Sequence, residues 1–161
     1  MNYDREVVND FFRKEGIIIG NNIKINCNIL SAESYPIEIG NNVTIAHDVQ
    51  FIIADNAISK VMLDKTDLFG KIIVGNNSFI GARVTILYGV KLSDNIVVAS
   101  GSVVTKSFDG EKIIIVGSPA RKIGTWEKYA DKHINKAINI KGLTKKEKRE
   151  LLRKNNNLVN R

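Results

Sequence analysis

Aliphatic side chains recur every six residues along most of this chain, with small and polar residues between them. From Ile19 it reads IGNNIK and INCNIL, then a longer stretch, SAESYPIE. From Ile39 come IGNNVT, IAHDVQ and FIIADN. From Val74 come VGNNSF, IGARVT, ILYGVK, LSDNIV, VASGSV and VTKSFD. The first place is Ile19, Ile25, Ile39, Ile45, Phe51, Val74, Ile80, Ile86, Leu92, Val98 and Val104, aliphatic but for Phe51. The fifth is mostly small or β-branched: Val43, Val49, Ser78, Val84, Val90 and Ser102. A helix of 3.6 residues per turn does not keep such a repeat on one face. A short strand followed by a turn does, because Gly and Asn tolerate the left-handed backbone that the turn needs. Three units make one coil, and coils stack through parallel strand pairing. The pattern predicts an all-β solenoid.

Three segments depart from the repeat. Residues 4–14 place Val7, Val8, Phe11 and Phe12 on one helical face, predicting a short helix that caps the open first coil. Residues 57–73 break the register and read as an inserted loop, a feature that often carries function. After Gly124, TWEKYADKHINKA reads as an amphipathic helix with Trp126, Tyr129 and Ile134 inward, and a basic tail follows, helical to about Lys154. The expected organisation is a cap at 1–18, the solenoid at 19–124 and a helical basic tail at 125–161.

Composition narrows the picture further. The chain has 161 residues, 43% hydrophobic and 25% charged, an ordinary balance for one globular domain. No run of about 18 apolar residues is present, so no transmembrane segment is expected. The charged N-terminal stretch lacks the apolar core of a signal peptide, and a cytoplasmic location is expected. A single Cys27 excludes a disulfide framework, and only His47 and His133 supply imidazoles, so no metal site is expected. The net charge of +7 is concentrated: residues 1–140 hold 16 Lys and Arg against 15 Asp and Glu, and residues 141–161 hold eight against two. That tail has no aromatic residue to stack on bases, which disfavours nucleic acid as a partner. A solvated terminal helix is the favoured reading. Weak contact with anionic lipid headgroups, or with another subunit, is the alternative.

The hexads from Ile19 to Gly124, with VASGSVVTK at 98–106 and VGSPARKIG at 116–124, resemble the hexapeptide-repeat acyltransferases, in particular their sugar O-acetyltransferase branch. The resemblance implies a left-handed parallel β-helix, a homotrimer with sites between subunits, and acetyl-CoA as co-substrate. Counting places adds a physical reading. Ala82 and Ser100 are both third in their hexads and 18 residues apart, so they fall one above the other at about 4.8 Å. Their N–H groups form a ladder on which an extended ligand carrying amides could pair. By resemblance this is where the pantetheine arm lies, with Thr105 and Lys106 further along. Pro119, Arg121 and Lys122 then fall at the adenine and phosphate end, where cationic donors suit anionic phosphates. Phe79 stands where many members carry Trp beside the thiol arm.

Acyl transfer to a hydroxyl needs a base, for which histidine is suited near neutral pH. In the resembling branch the base sits in a hexad like FITHDNAI. Here residues 51–58 read FIIADNAI, so Ala54 occupies that place, flanked by Asp55 and Asn56. Three explanations stand open: a deliberate base-to-alanine change, a natural loss of catalysis, or another base. His47, third in IAHDVQ and so in the column of Ala82 and Ser100, is the alternative base. The expected activity is acetyl transfer from acetyl-CoA to a carbohydrate hydroxyl. N-acetylation of an amino sugar, or a non-catalytic trimeric β-helix that binds or scaffolds, are the rivals.

Overall fold

The computed structural model describes residues 5–31 and 33–155; Asp4 of the expected cap helix and the tail beyond 155 lie outside the described residues. The aliphatic first places become strands of two to six residues, and these gather into three mainly parallel sheets. The first sheet holds β1 (Ile18–Ile19), β3 (Ile37–Ile39), β8 (Ile72–Val74) and β11 (Lys91–Leu92). The second holds β2 (Lys24–Ile25), β4 (Thr44–Ile45), β9 (Phe79–Ile80), β12 (Ile96–Val98), β14 (Ile113–Gly117) and β15 (Ala120–Thr125). The third holds β5 (Gln50–Ile52), β10 (Thr85–Leu87) and β13 (Val103–Val104). From β3 to β13 the chain visits the three in rotation, apart from a small antiparallel pair, β6 (Ala54–Asp55) and β7 (Leu68–Phe69), inserted after β5; β14 and β15 then both join the second sheet.

Register shows how the repeat closes. Ile73 pairs with Lys91, Phe79 with Val97 and Thr85 with Val103, an offset of one three-hexad coil on all three sheets. The step below is longer by the insertion, since Thr44 pairs with Phe79 and Gln50 with Thr85. First-place Ile39, Ile45, Val74, Ile80, Ile86, Leu92, Val98 and Val104 are at most 2% exposed. Fifth-place Val43, Val49, Ser78, Val84, Val90 and Ser102 are buried as well. Each coil thus covers the aliphatic layer of the next, which is where the hydrophobic stabilisation resides.

The corners are made by the residues between. At the corner joining the first sheet to the second, Asn and Asp side chains tie each turn to the next. Asn41 Oδ1 accepts from the Asn21 N–H at 2.9 Å, Asn76 Oδ1 from the Asn41 N–H at 2.7 Å, and Asp94 Oδ1 from the Asn76 N–H at 2.8 Å. A second ladder beside it runs from Asn22 to Asn42 to Asn77 through their side-chain amides. These amides turn the polar corner into a series of satisfied hydrogen bonds.

The first coil is closed by α1 (Arg5–Lys14). Phe12 is buried and Val8 half-buried, whereas Val7 and Phe11 are exposed, so only part of the expected apolar face is used. The other inward positions are polar because the edge of a sheet needs donors. Buried Asn9 donates to the Ile23 carbonyl at 3.3 Å, and Arg13 donates to the carbonyls of Ile19 and Gly20 at 3.2 and 2.7 Å. Asp10, then Glu6, hold the Arg13 guanidinium charged.

The segment expected as a loop at 57–73 is partly ordered. Residues Ala57–Lys60 form a 3-10 turn, β7 returns to pair with β6, and Ile72 and Ile73 already belong to β8.

Residues 125–155 belong to a separate compact unit. It contains α2 (Trp126–His133) and α3 (Lys145–Lys154), the latter started by a capping box between Thr144 and Glu147. The expected inward set is not realised: Trp126 is half-buried, but Tyr129 and Ile134 are exposed. The helix ends at His133, one residue short of Ile134, and Tyr129 lies against the His133 ring at 4.6 Å. Among the described residues no helix is long and apolar enough to cross a membrane.

Candidate active site

Two clusters of the singled-out residues form, at different corners of the chain. The corner between the second and third sheets holds His47, Ala82 and Ser100. Ile45 pairs with Ile80 and Ile80 with Val98, so the third places fall in one column despite the insertion. The column is tied by backbone bonds one residue on: Arg83 N–H donates to the His47 carbonyl at 3.0 Å, and Gly101 N–H to the Ala82 carbonyl at 2.8 Å. Asp48, Arg83 and Gly101 all have positive φ, which turns the chain between the two sheets. Those turns leave the Ala82 and Ser100 N–H groups without a partner among the described residues. Packing there is tight: a Cβ on Gly81 would lie 2.6 Å from the Ser100 nitrogen. Exposed His47 places Nδ1 at 3.0 Å from Asp48 Oδ2, an arrangement that can orient an imidazole.

The column continues toward the last strands. Val98 pairs with Ile115, and Gly117, two residues later, donates its N–H to Ser102 Oγ at 3.2 Å. Exposed Pro119 follows a cis peptide bond, and β15 then presents Arg121 and Lys122 to solvent. Phe79, 43% exposed, sits outward on the second sheet between Thr44 and Val97. Thr105 and Lys106, both exposed, follow β13, where the Lys106 ammonium rests 5.7 Å from the Phe108 ring centroid.

Ala54, Asp55 and Asn56 lie at the corner between the third and first sheets, in a cleft of about 470 Å³ lined also by Glu33, Asp67 and Phe69. The β6–β7 pair builds it: Ala54 lies opposite Phe69, and Asp55 opposite Leu68. Asp55 Oδ1 accepts from the Ala57 N–H at 2.8 Å, and Oδ2 accepts from Tyr88 Oη at 3.3 Å. Burial, then the charge and hydrogen bond of Asp55, push the Tyr88 phenol above its ordinary range, which keeps it a donor. Tyr88, Glu33 and Asp67 were not among the expected site residues. Only Tyr88 carried a signal, an aromatic side chain at the third place of its hexad. No His lines this cleft. Among the described residues no three His, Cys, Asp or Glu side chains cluster to hold a metal.

This geometry has counterparts. A family model described as the hexapeptide repeat of succinyl-transferase matches residues 71–106. Protein CapG of Staphylococcus aureus is 38% identical over 150 residues, spanning 90% of this chain and 87% of CapG. The galactoside O-acetyltransferase of Escherichia coli (strain K12) is 33% identical over 108 residues, 66% of this chain and 53% of that enzyme; relative to it, the chain spans about half the length. The solved structure of galactoside acetyltransferase in complex with coenzyme A superposes with a TM-score of 0.62 at 29% identity, over 72% of this chain and 58% of that one. Six-residue places stacked in register, together with a relative matched almost end to end, establish that this chain belongs to the hexapeptide-repeat acetyltransferase family.

Proposed function

We propose that the chain is a left-handed parallel β-helix that works as a homotrimer, with sites between subunits, to transfer acetyl from acetyl-CoA to a carbohydrate hydroxyl. The observation that carries the reading is the column of unpartnered amides at Ala82 and Ser100, one coil apart, with His47 in line below them. The similarity to galactoside O-acetyltransferase supports the acceptor class, and the likeness to its coenzyme A complex supports the donor. An extended pantetheine arm finds two amides at strand spacing. Its phosphates are served by Arg121 and Lys122, and Phe79, Thr105, Lys106 and Pro119 complete the donor groove.

His47 is the proposed base, since Ala54 leaves the other cleft without an imidazole. Its ring nitrogen takes the acceptor proton as the hydroxyl oxygen bonds to the thioester carbonyl carbon. Collapse of the resulting tetrahedral oxyanion breaks the carbon–sulfur bond; the thiolate leaves and takes the proton back from the imidazolium. Asp48 orients the imidazole. In the Ala54 cleft, Asp55 and Asn56 offer hydrogen-bonding groups to sugar hydroxyls and Phe69 an aromatic wall, while Tyr88 donates to Asp55.

The test is acetyl-CoA consumption with a panel of neutral and amino sugars, comparing the chain with His47→Ala and Ala54→His. The expected result is activity that falls by about 10²–10⁴ in His47→Ala. Activity that appears only in Ala54→His shows that the base was lost from position 54. Turnover restricted to amines moves the reading to N-acetylation. Failure of the chain and of Ala54→His to bind coenzyme A by calorimetry overturns the enzyme and leaves a scaffold.

A further inference from the structure

We infer that the unit formed by residues 125–155 is a docking surface for an anionic phospholipid bilayer, an interaction independent of the acetyl-transfer reading. The first observation is where the charge lies. Residues 1–124 carry 13 cationic and 13 anionic side chains, whereas residues 125–155 carry 10 and 4. The solenoid is electrically balanced, so the field of this molecule originates in its C-terminal unit.

The second observation is how those charges are arranged. One side of α3 presents Lys145, Lys148, Arg149 and Arg153 around Leu152, which together border a cleft of about 370 Å³. The two acids of the helix are placed elsewhere: Glu147 is committed to the capping box with Thr144, and Glu150 does not line this side. All four cations are exposed, free to meet an anionic surface.

Charge alone would suit any polyanion. The third observation decides between them. Ile134, Ile138, Ile140, Leu143 and Leu152, all in the same unit, are each at least 37% exposed. Such aliphatics contribute nothing to a ligand that is phosphate alone, yet they match a surface with an apolar layer beneath its anionic headgroups. Single-stranded nucleic acid would call for aromatic platforms; Tyr129 is already set against His133, and no aromatic residue lies between 134 and 155. Basic and aliphatic side chains interleaved over about twenty residues, on a unit attached to a neutral body, fit a bilayer whose leaflet carries phosphatidylglycerol or another acidic lipid.

The experiment is vesicle co-sedimentation of the full chain, with vesicles of phosphatidylcholine alone or with about one-third phosphatidylglycerol. Binding is expected to the acidic vesicles only, weakening at least about tenfold as salt rises from ~0.1 to ~0.5 M. Replacing Lys148, Arg149 and Arg153 by Gln, which keeps the helix, is expected to weaken binding about tenfold or more. Ile138→Ser with Leu152→Ser is expected to weaken binding severalfold at unchanged charge. Equal binding to both vesicles, or binding to neither, overturns the proposal. So does retention on heparin or DNA with vesicle binding that the serine variants leave untouched, which would mark a general polyanion site. The salt titration on the unaltered chain stands even where a variant fails to fold, which circular dichroism reports.

Discussion

The fourth place of the hexad carries a left-handed backbone. Asn22, Asn42 and Asn77 have φ of 56°, 56° and 53°, Asp48 has 58°, Asn95 60°, and Gly89 and Gly101 fill the same place. Asn, Asp and Gly tolerate this conformation most easily, and Arg83 at φ 57° is the exception among them. Arg83→Gly removes a cost of about 1–2 kcal/mol but adds unfolded-chain entropy, so a net gain of up to about 1 kcal/mol is expected in urea denaturation. Asp94 supplies a second residue-level prediction. Hydrogen bonds from the Asn76 side chain and N–H hold its carboxyl below the usual carboxylate range, and it regains an ordinary value when the chain unfolds. A lowered native pKa adds stability that is complete above the unfolded value, near 4, and fades as acid titrates the native carboxylate. Asp94→Asn should therefore flatten the acid limb of a stability-against-pH curve below about pH 4.

At the level of the strand and turn, buried first places and tight second-place glycines make separate predictions. Ile80→Ala empties part of a fully buried layer and should cost about 2–5 kcal/mol by denaturant titration. A Cβ at Gly75 would lie 2.5 Å from the Ser93 carbonyl carbon, and one at Gly81 the same close way against the Ser100 nitrogen. Both alanine variants should lose stability. Only Gly81→Ala should also weaken coenzyme A binding by calorimetry, because it displaces an amide of the proposed groove. The strand layers were legible before any coordinates: first and fifth places are the buried ones, and a count of 18 residues is the pairing offset of β8, β9 and β10 with the next coil. The His47–Ala82–Ser100 column was legible too, because hexad place survives the insertion. What could not be read has no period. The β6–β7 pair joins residues thirteen or more apart with no fully buried side chain on either strand, and Tyr88 meets Asp55 across 33 residues between unlike places. Likewise, α1 shows a helical apolar face, but carbonyls on the first coil recruit Asn9 and Arg13 in place of Val7 and Phe11.

On the scale of the whole molecule, the charge is divided unevenly: the hexad-bearing unit is balanced, and the C-terminal unit is basic. The stacked parallel sheets have one further property, drawn from their pairing offsets. The same ladder accepts a step of 18 residues from Phe79 to Val97, 35 from Thr44 to Phe79 and 20 from Lys24 to Thr44, with the surplus looped out at corners. Length can therefore be added wherever a bend faces solvent, yet no residue can be dropped from within a rung without turning its inward side chains outward. Excising residues 81–98 joins Ile80 to Ala99 in phase and should yield a shorter protein that still unfolds cooperatively; excising 81–97 should not. Evolution of such a scaffold advances by whole laps, and trims or grows only at its bends.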